Sequence, residues 1–282
     1  MKILVTGANG YLGQGIVKQL LDDGIVVVAT DFSSERIDKR AIIKTCDLFT
    51  IENPYEFFDE PDVVLHLAWK NGFVHNAESH ISDLFAHYAF LKKIIGSGVK
   101  RLAVMGTMHE IGFYEGCIDE NTPCNPQSFY GIAKNALRGL VSLLCEDAKI
   151  KMQWLRGFYI VGNTESGNSI FSKIASLERQ GEVLFPFNKG TSRYDFLDYS
   201  DFCLRLAACV EQDDVNGIIN VCSGHPQSLK DRVEQFLKEN NYSIKMDYGK
   251  YPERPYDSKG VWGDSSKIEA IMLKRDNNKQ RV

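Results

Sequence analysis

The stretch that most constrains the fold is KILVTGANGYLG, residues 2–13. An apolar, β-rich run meets glycines at 7, 10 and 13, and a helical pattern follows over 11–22. Gly7 permits a tight turn, Gly10 lets the backbone approach a pyrophosphate, and Gly13 allows close helix–strand packing. A phosphate at such a turn, beside Tyr11 and Leu12, meets free N–H groups and the positive end of the helix dipole. The second run, IVVVAT (25–30), ends at Asp31, where a carboxylate can bind the adenosine ribose diol. Asp31 repels a 2′-phosphate and favours NAD. Arg36, five residues later, is able to receive one, so NADP is the alternative.

Five further runs have the same character: AIIKTC (41–46), DVVLHLA (62–68), KRLAVMG (100–106), MQWLRGF (152–158) and GIINVC (217–222). They lack clean period-two alternation, as expected for strands covered on both faces, and the segments between them are long enough for crossovers. The expected fold is α/β, a Rossmann-type doubly wound parallel sheet with a smaller interleaved C-terminal substrate lobe. Residues 1–162 are assigned to the NAD(P)-binding domain, with 194–222 returning to it. Residues 163–193 and 223–272, richer in Gly, Asn, Ser and Pro, are assigned to the substrate lobe, and 273–282 to a polar, frayed tail. Long helices are expected over 78–97 and 128–147, each broad enough in its apolar face to pack on the sheet and still offer a stripe to a second subunit.

A net charge of −4 with 25% charged residues gives no reason to expect a nucleic-acid partner. No apolar stretch approaches the roughly 18 residues of a membrane span, and the apolar run at the N-terminus is too short for a signal core, so a cytoplasmic protein is expected. The seven cysteines form no CxxC pair and read as free thiols. The histidines show no metal-ligand spacing, and no metal is expected.

The run at 100–106 delivers Thr107, and SFYGIAK places Tyr130 and Lys134 one helical turn apart. A lysine so placed lowers the phenol pKa and holds the nicotinamide ribose. The phenol then exchanges a proton with a substrate oxygen while a hydride moves to or from carbon. Thr107 would orient that oxygen. His109 is a candidate substrate contact or proton donor, set against a structural histidine. His66 reads as packing, and His75, His80, His87 and His225 as surface or helix-face residues. Trp69, Phe73, Phe158 and Tyr159 are able to shape a sugar pocket.

Together these segments resemble the extended short-chain dehydrogenases/reductases of the NAD-dependent epimerase/dehydratase group, over nearly the whole chain. The resemblance implies adenine contacts from Asp47 and Leu48 in CDL, cofactor-lining roles for Leu67 and Ala68 in HLA, a nucleotide-sugar substrate, and a homodimer through helices 78–97 and 128–147. RYDFLDYSD (193–201), INVCSG (219–224) and WGDSSKI (262–268) also resemble family segments. Arg193, and Arg254 in ERPYD, are nominated to grip the diphosphate. RGFYIVGN places Tyr159 where 4-epimerases of the group carry an asparagine near the sugar, with Asn163 closing the segment as a further substrate candidate. Met108 and His109 stand where the group's 4,6-dehydratases have Asp–Glu, which disfavours dehydration, although Glu110 is adjacent. Asp83 replaces an asparagine that serves a water relay to the lysine.

GTMHEIG and IDENTPCNPQSFYGIAKNALR most resemble the branch that reduces 4-keto-6-deoxy sugar nucleotides, the dTDP-6-deoxytalose-forming 4-reductases among them. The resulting expectation is an NAD(P)-dependent oxidoreductase acting at C4 of a nucleotide-activated 6-deoxy sugar and reducing a 4-keto group. The alternatives are an epimerase with no net redox change and a non-catalytic NAD(P)-sensing protein.

Overall fold

The computed structural model describes residues 1–162, 169–252 and 258–279. Its centre is a seven-stranded sheet in which every pairing is parallel. Strands β1 (Lys2–Thr6), β2 (Val26–Thr30), β3 (Ile42–Ile43), β4 (Val63–His66) and β5 (Arg101–Thr107) are joined by Lys151–Gly157 and Gly217–Val221. Across the sheet they run Gly217–Val221, Lys151–Gly157, β5, β4, β1, β2, β3. The order reverses direction between β1 and β4, the crevice where open α/β sheets bind ligands. All seven apolar runs become strands of this sheet, although 41–46 contributes only the two residues of β3.

Neighbouring residues of one strand serve opposite cores. Ile3 and Val5 pack with Ile16, Leu20, Leu65, Phe202 and Ile268 on one face. Leu4 packs with Val64, Phe90, Leu91, Leu102 and Val141 on the other. Both faces are therefore apolar, and each fully buried Leu or Ile side chain contributes about 1.5–3 kcal/mol of transfer free energy. Helices α1 (Tyr11–Asp22), α2 (Pro54–Phe57), α3 (Ser79–Ser82), α4 (Leu84–Gly96), α5 (Phe129–Asp147), α6 (Ile170–Arg179), α7 (Tyr199–Glu211), α8 (Leu229–Glu239) and α9 (Ser266–Lys279) complete the frame. Here α1 packs on α7 and α7 on α9, while α4 lies against α5. A third cluster gathers Phe171, Ile174, Phe187, Phe196, Val233 and Phe236 from α6, α8 and the segments between them.

The expected helix over 78–97 is interrupted at Asp83, where α3 ends and α4 begins. At that break the Ser82 hydroxyl donates to the Asp83 carboxylate and Lys70 lies 3.7 Å from it. The tail expected to fray from residue 273 is also different, since α9 runs on to Lys279. Arg275 is buried there and pairs with Asp23 and Glu211, and Lys279 lies 2.7 Å from Asp23. Charge in that segment marks ion pairing to α1 and α7.

Candidate active site

The glycine turn leaves β1 with Gly7 at φ +69°, and a Cβ added to Gly7 would stand 2.7 Å from the Ala68 nitrogen. A Cβ on Gly13 would collide with the Gly7 carbonyl. Leu67 and Ala68 thus abut the turn, and Ala68 N–H donates to the Thr6 hydroxyl at 3.3 Å. Gly10 is the N-cap of α1 and offers no side-chain acceptor, so the donors of Leu12 and Gly13 open the helix without a cap. Tyr11 is in that first turn. The Tyr199 hydroxyl, from the start of α7, accepts from Gly15 N–H at 3.0 Å and donates to the Tyr11 carbonyl.

Asp31 follows β2, and its carboxylate accepts from Asn9 N–H at 3.0 Å and Phe32 N–H at 2.7 Å. Asn9 also donates to the Ser33 hydroxyl at 2.8 Å and accepts from Arg36 N–H at 2.8 Å, which wires the 31–36 loop to the glycine turn. Asn9 was not singled out in the sequence, because its contacts are 22 to 27 residues away. The Arg36 residue is exposed. Asp47 caps the short turn Leu48–Thr50 by accepting from Phe49 N–H, and the Leu48 side chain enters the core. These residues fit a dinucleotide: an uncapped helix end for phosphate, a glycine turn with no room for Cβ, and a carboxylate where a ribose diol would lie.

Thr107 ends β5, and Tyr130 and Lys134 open α5 a turn apart. The three meet. Burial pushes the Tyr130 phenol up to about 12, and the Thr107 hydroxyl, as a hydrogen-bond partner, opposes that shift. The same hydroxyl accepts from His109 N–H at 3.2 Å. The Lys134 ammonium is buried, donates to the Met105 carbonyl at 2.8 Å, and is pulled down to about 7 by loss of water, with the Glu110 charge acting in opposition.

Glu110 is directed into the protein. Its carboxylate accepts from Thr107 N–H at 2.7 Å and from the Trp154 indole at 2.8 Å, and Arg156 and Arg138 lie 3.7 and 3.8 Å away. Burial raises its pKa while these partners oppose the shift. Engaged in this way, it is not positioned as an acid or base for water elimination. His109 faces the cleft: its ring is 6.1 Å from that of Tyr130 and 4.3 Å from that of His75, and burial pulls it down to about 4.

The histidines depart from the expected surface roles. His80 and His87 are almost wholly buried, and only His225 is exposed. Thr6 bonds His66 at 2.9 Å, His66 bonds His87 at 2.9 Å, and His87 stacks on Trp69 at 4.4 Å. Trp69 donates to His80 at 2.9 Å. The available signal was periodicity: His80, Leu84, His87 and Leu91 follow an inward helical stripe, in which a histidine was read as polar. Burial holds His66 well below its usual value and His87 down to about 3.

Tyr159 is half-buried against Tyr194 and Phe196, with ring centroids 4.7 and 5.6 Å away. The exposed Arg193 donates to the Pro226 carbonyl at 2.6 Å. Asn163 and Arg254 lie outside the described residues. Asp195, within RYDFLDYSD, is fully buried and accepts from the Ser223 hydroxyl and from the peptide N–H groups of Ser223, Gly224 and Gly263. It joins chain segments and does not reach the cleft's reacting groups.

A model of the NAD dependent epimerase/dehydratase family matches residues 3–222. The dTDP-6-deoxy-L-talose 4-dehydrogenase (NAD(+)) of Aggregatibacter actinomycetemcomitans is 40% identical over 271 residues, covering 93% of this chain and 99% of that protein. Among solved structures, the UDP-glucose 4-epimerase of Thermotoga maritima with UDP-glucose has a TM-score of 0.81 at 22% identity, covering 96% of this chain and 92% of its own. MoeE5 in complex with UDP-glucuronic acid and NAD gives 0.77 at 23% identity, with 97% and 93% covered. At these identities the structural likeness speaks for the fold.

Proposed function

Because the chain belongs to the NAD dependent epimerase/dehydratase family, we propose that it is an NAD-dependent oxidoreductase acting at C4 of a nucleotide-activated 6-deoxy sugar, interconverting a 4-hydroxyl and a 4-keto group. The observation that carries this reading is that Thr107 at the end of β5 meets Tyr130, with Lys134 one turn on in α5 and bonded to β5 at the Met105 carbonyl. The near-full-length similarity to a dTDP-6-deoxy-L-talose 4-dehydrogenase supports C4 and the 6-deoxy sugar.

Gly7, Gly10, Tyr11, Leu12, Gly13, Asp31, Asp47, Leu48, Leu67 and Ala68 would hold the cofactor, together with Tyr130 and Lys134. Bound NAD supplies the hydride acceptor, or in reduced form the donor. Thr107 holds the C4 oxygen. Tyr130 removes the hydroxyl proton as the carbonyl forms, and in the reductive direction returns it to the developing alkoxide. The Lys134 ammonium favours the phenolate form of Tyr130. With Glu110 committed to Thr107 and Trp154, the cleft has no carboxylate placed to remove a carbon-bound proton among the described residues, which favours redox over dehydration.

We assign His109, Tyr159, Asn163, Arg193 and Arg254 to the sugar nucleotide, and residues 163–193 and 223–272 to the lobe that receives it. The cluster around Phe171 and Phe236 supports a separately packed lobe. A homodimer through α3–α4 and α5 is part of the same proposal, supported by exposed Ile81, Phe85, Leu140 and Leu143. So is a cytoplasmic location, which suits seven free thiols.

The test is incubation with dTDP-6-deoxy-L-talose and NAD+, and with the matching 4-keto sugar and NADH, following both cofactor and sugar. Stoichiometric cofactor turnover supports the proposal. A C4 epimer formed with no net redox change would replace it with epimerisation, and full turnover by both Tyr130→Phe and Lys134→Met would reject the catalytic assignment.

A further inference from the structure

Lys134 bears a charge in a place with little to receive it. Its ammonium is buried and, among the described residues, has one hydrogen bond, to the Met105 carbonyl at 2.8 Å. No carboxylate forms an ion pair with it among the described residues, and Glu110, whose charge reaches it, is held by Trp154 and Thr107. What does lie against it is an aromatic face: Nζ is 4.0 Å from the centroid of the Trp69 ring. Trp is the strongest aromatic partner for a cation, and the attraction grows when water is excluded.

The indole is held in that orientation. Its N–H donates to His80 Nδ1 at 2.9 Å, and His80 Nε2 bonds the Val74 carbonyl at 3.0 Å. An imidazole that accepts at Nδ1 and donates at Nε2 is neutral, so His80 adds no competing cation. His87 stacks on the same indole with 20° between planes and is fixed in turn by His66 and Thr6. His66 and His87 are kept neutral by burial, and the Lys134 charge pushes both further in that direction. Tyr130, on the same helix, has its ring 6.3 Å from that of Trp69 and packs against His75 and His109, while Lys70, 3.7 Å from Asp83, adds a positive charge that acts on His87.

We propose that Trp69 is a positioning residue for the reaction, its indole face serving as the partner that keeps Lys134 charged and directed at the Tyr130 site. The assignment rests on the catalytic reading of Tyr130 and Lys134 given above, and it differs from the sugar-wall role that the sequence suggested for Trp69. Trp69 acts through Lys134: an ammonium that loses its aromatic partner sheds its proton more readily, and the phenolate beside it then loses support.

The experiment titrates Lys134 directly in the NAD+-saturated protein, from the 15N shift of Nζ in lysine-labelled samples, with the resonance assigned by its loss in Lys134→Met. Trp69→Leu removes the face and should lower the midpoint by about one pH unit, while Trp69→Phe, which keeps a ring, should lower it by less. The rising limb of kcat/KM against pH for NAD+-dependent oxidation should move upward in Trp69→Leu. An unchanged Lys134 midpoint in folded Trp69→Leu, or an unmoved limb, overturns the proposal. If Trp69→Leu does not fold, fluorotryptophans carrying one, two and three fluorines replace it. They weaken the face with little change of shape, and should lower the midpoint stepwise in the wild type but not in Trp69→Phe; no stepwise change overturns the proposal. The titration requires no turnover, so its failure is distinct from failure of the catalytic reading, which Tyr130→Phe and Lys134→Met decide.

Discussion

The peptide N–H of Tyr130 donates to the carbonyl of His75 at 2.9 Å, and Phe129 N–H reaches the Asn76 side-chain oxygen at 3.2 Å. The loop after β4 therefore supplies acceptors that the first turn of α5 lacks within itself. Loop and phenol are positioned together. Asn76→Ala should cost about 1 kcal/mol of stability, as loss of a cap does. It should also lower kcat by roughly tenfold through displacement of Tyr130. Urea unfolding and initial rates check both, and an unaltered kcat would separate the loop from the chemistry.

Cofactor choice is expected to rest on Asp31. Its carboxylate is anchored to the glycine turn by Asn9, and the exposed Arg36 lies in the same loop. Replacing Asp31 by Ser removes the charge that opposes a 2′-phosphate and leaves Arg36 to receive one. The ratio of kcat/KM for NADP+ to that for NAD+ should rise by at least about tenfold, equivalent to about 1.4 kcal/mol. Steady-state kinetics with both cofactors measures it, and a constant ratio would place the selectivity elsewhere.

Acid should destabilise the protein through its neutral histidines. His109 is held down to about 4 and His87 to about 3, against an ordinary 6.5. Between those values the unfolded chain binds more protons than the folded one. Stability therefore falls as the pH drops below about 6.5, by up to about 1.4 kcal/mol per pH unit for each group. His87→Phe should lose less stability between about pH 6 and 5 than the wild type, in urea unfolding at each pH. The same slope in both proteins would count against the assignment.

Glu110 should behave as a structural acid. Its carboxylate has no exposure and is placed among Trp154, Arg156, Arg138 and the Thr107 peptide. Glu110→Ala leaves the Arg156 guanidinium buried without its counter-charge and should cost about 3–5 kcal/mol. Chemical denaturation checks the size. A folded variant with wild-type stability and lost turnover would instead make Glu110 part of the chemistry.

Those features that arise from neighbours in sequence were legible. A glycine turn between strand and helix, Asp31 at the end of β2, and Tyr130 four residues before Lys134 each carry their geometry in their spacing. So did the strands, because a run apolar on both sides has only a doubly covered sheet to occupy. Long-range partners were not. His80 and His87 have the composition of surface residues, and partners distant in sequence, among them Trp69, Tyr130, His66 and Phe49, make them buried groups. The direction of Glu110 depends on Trp154, 44 residues away. Asp83 shows the opposite failure: a local break separates α3 from α4 although the apolar pattern continues past it.

The ion pair between Asp23 and Arg275 joins positions 252 residues apart. Asp23 caps the C-terminal end of α1, the helix whose other end faces the glycine turn. During synthesis on the ribosome, the first β–α unit emerges early, yet its helix gains this anchor only after residue 275 has left the exit tunnel. Nucleotide capture by the nascent chain is thus expected to lag behind formation of the early strands, and shortening α9 should be felt as weaker dinucleotide affinity at the opposite end of the sequence.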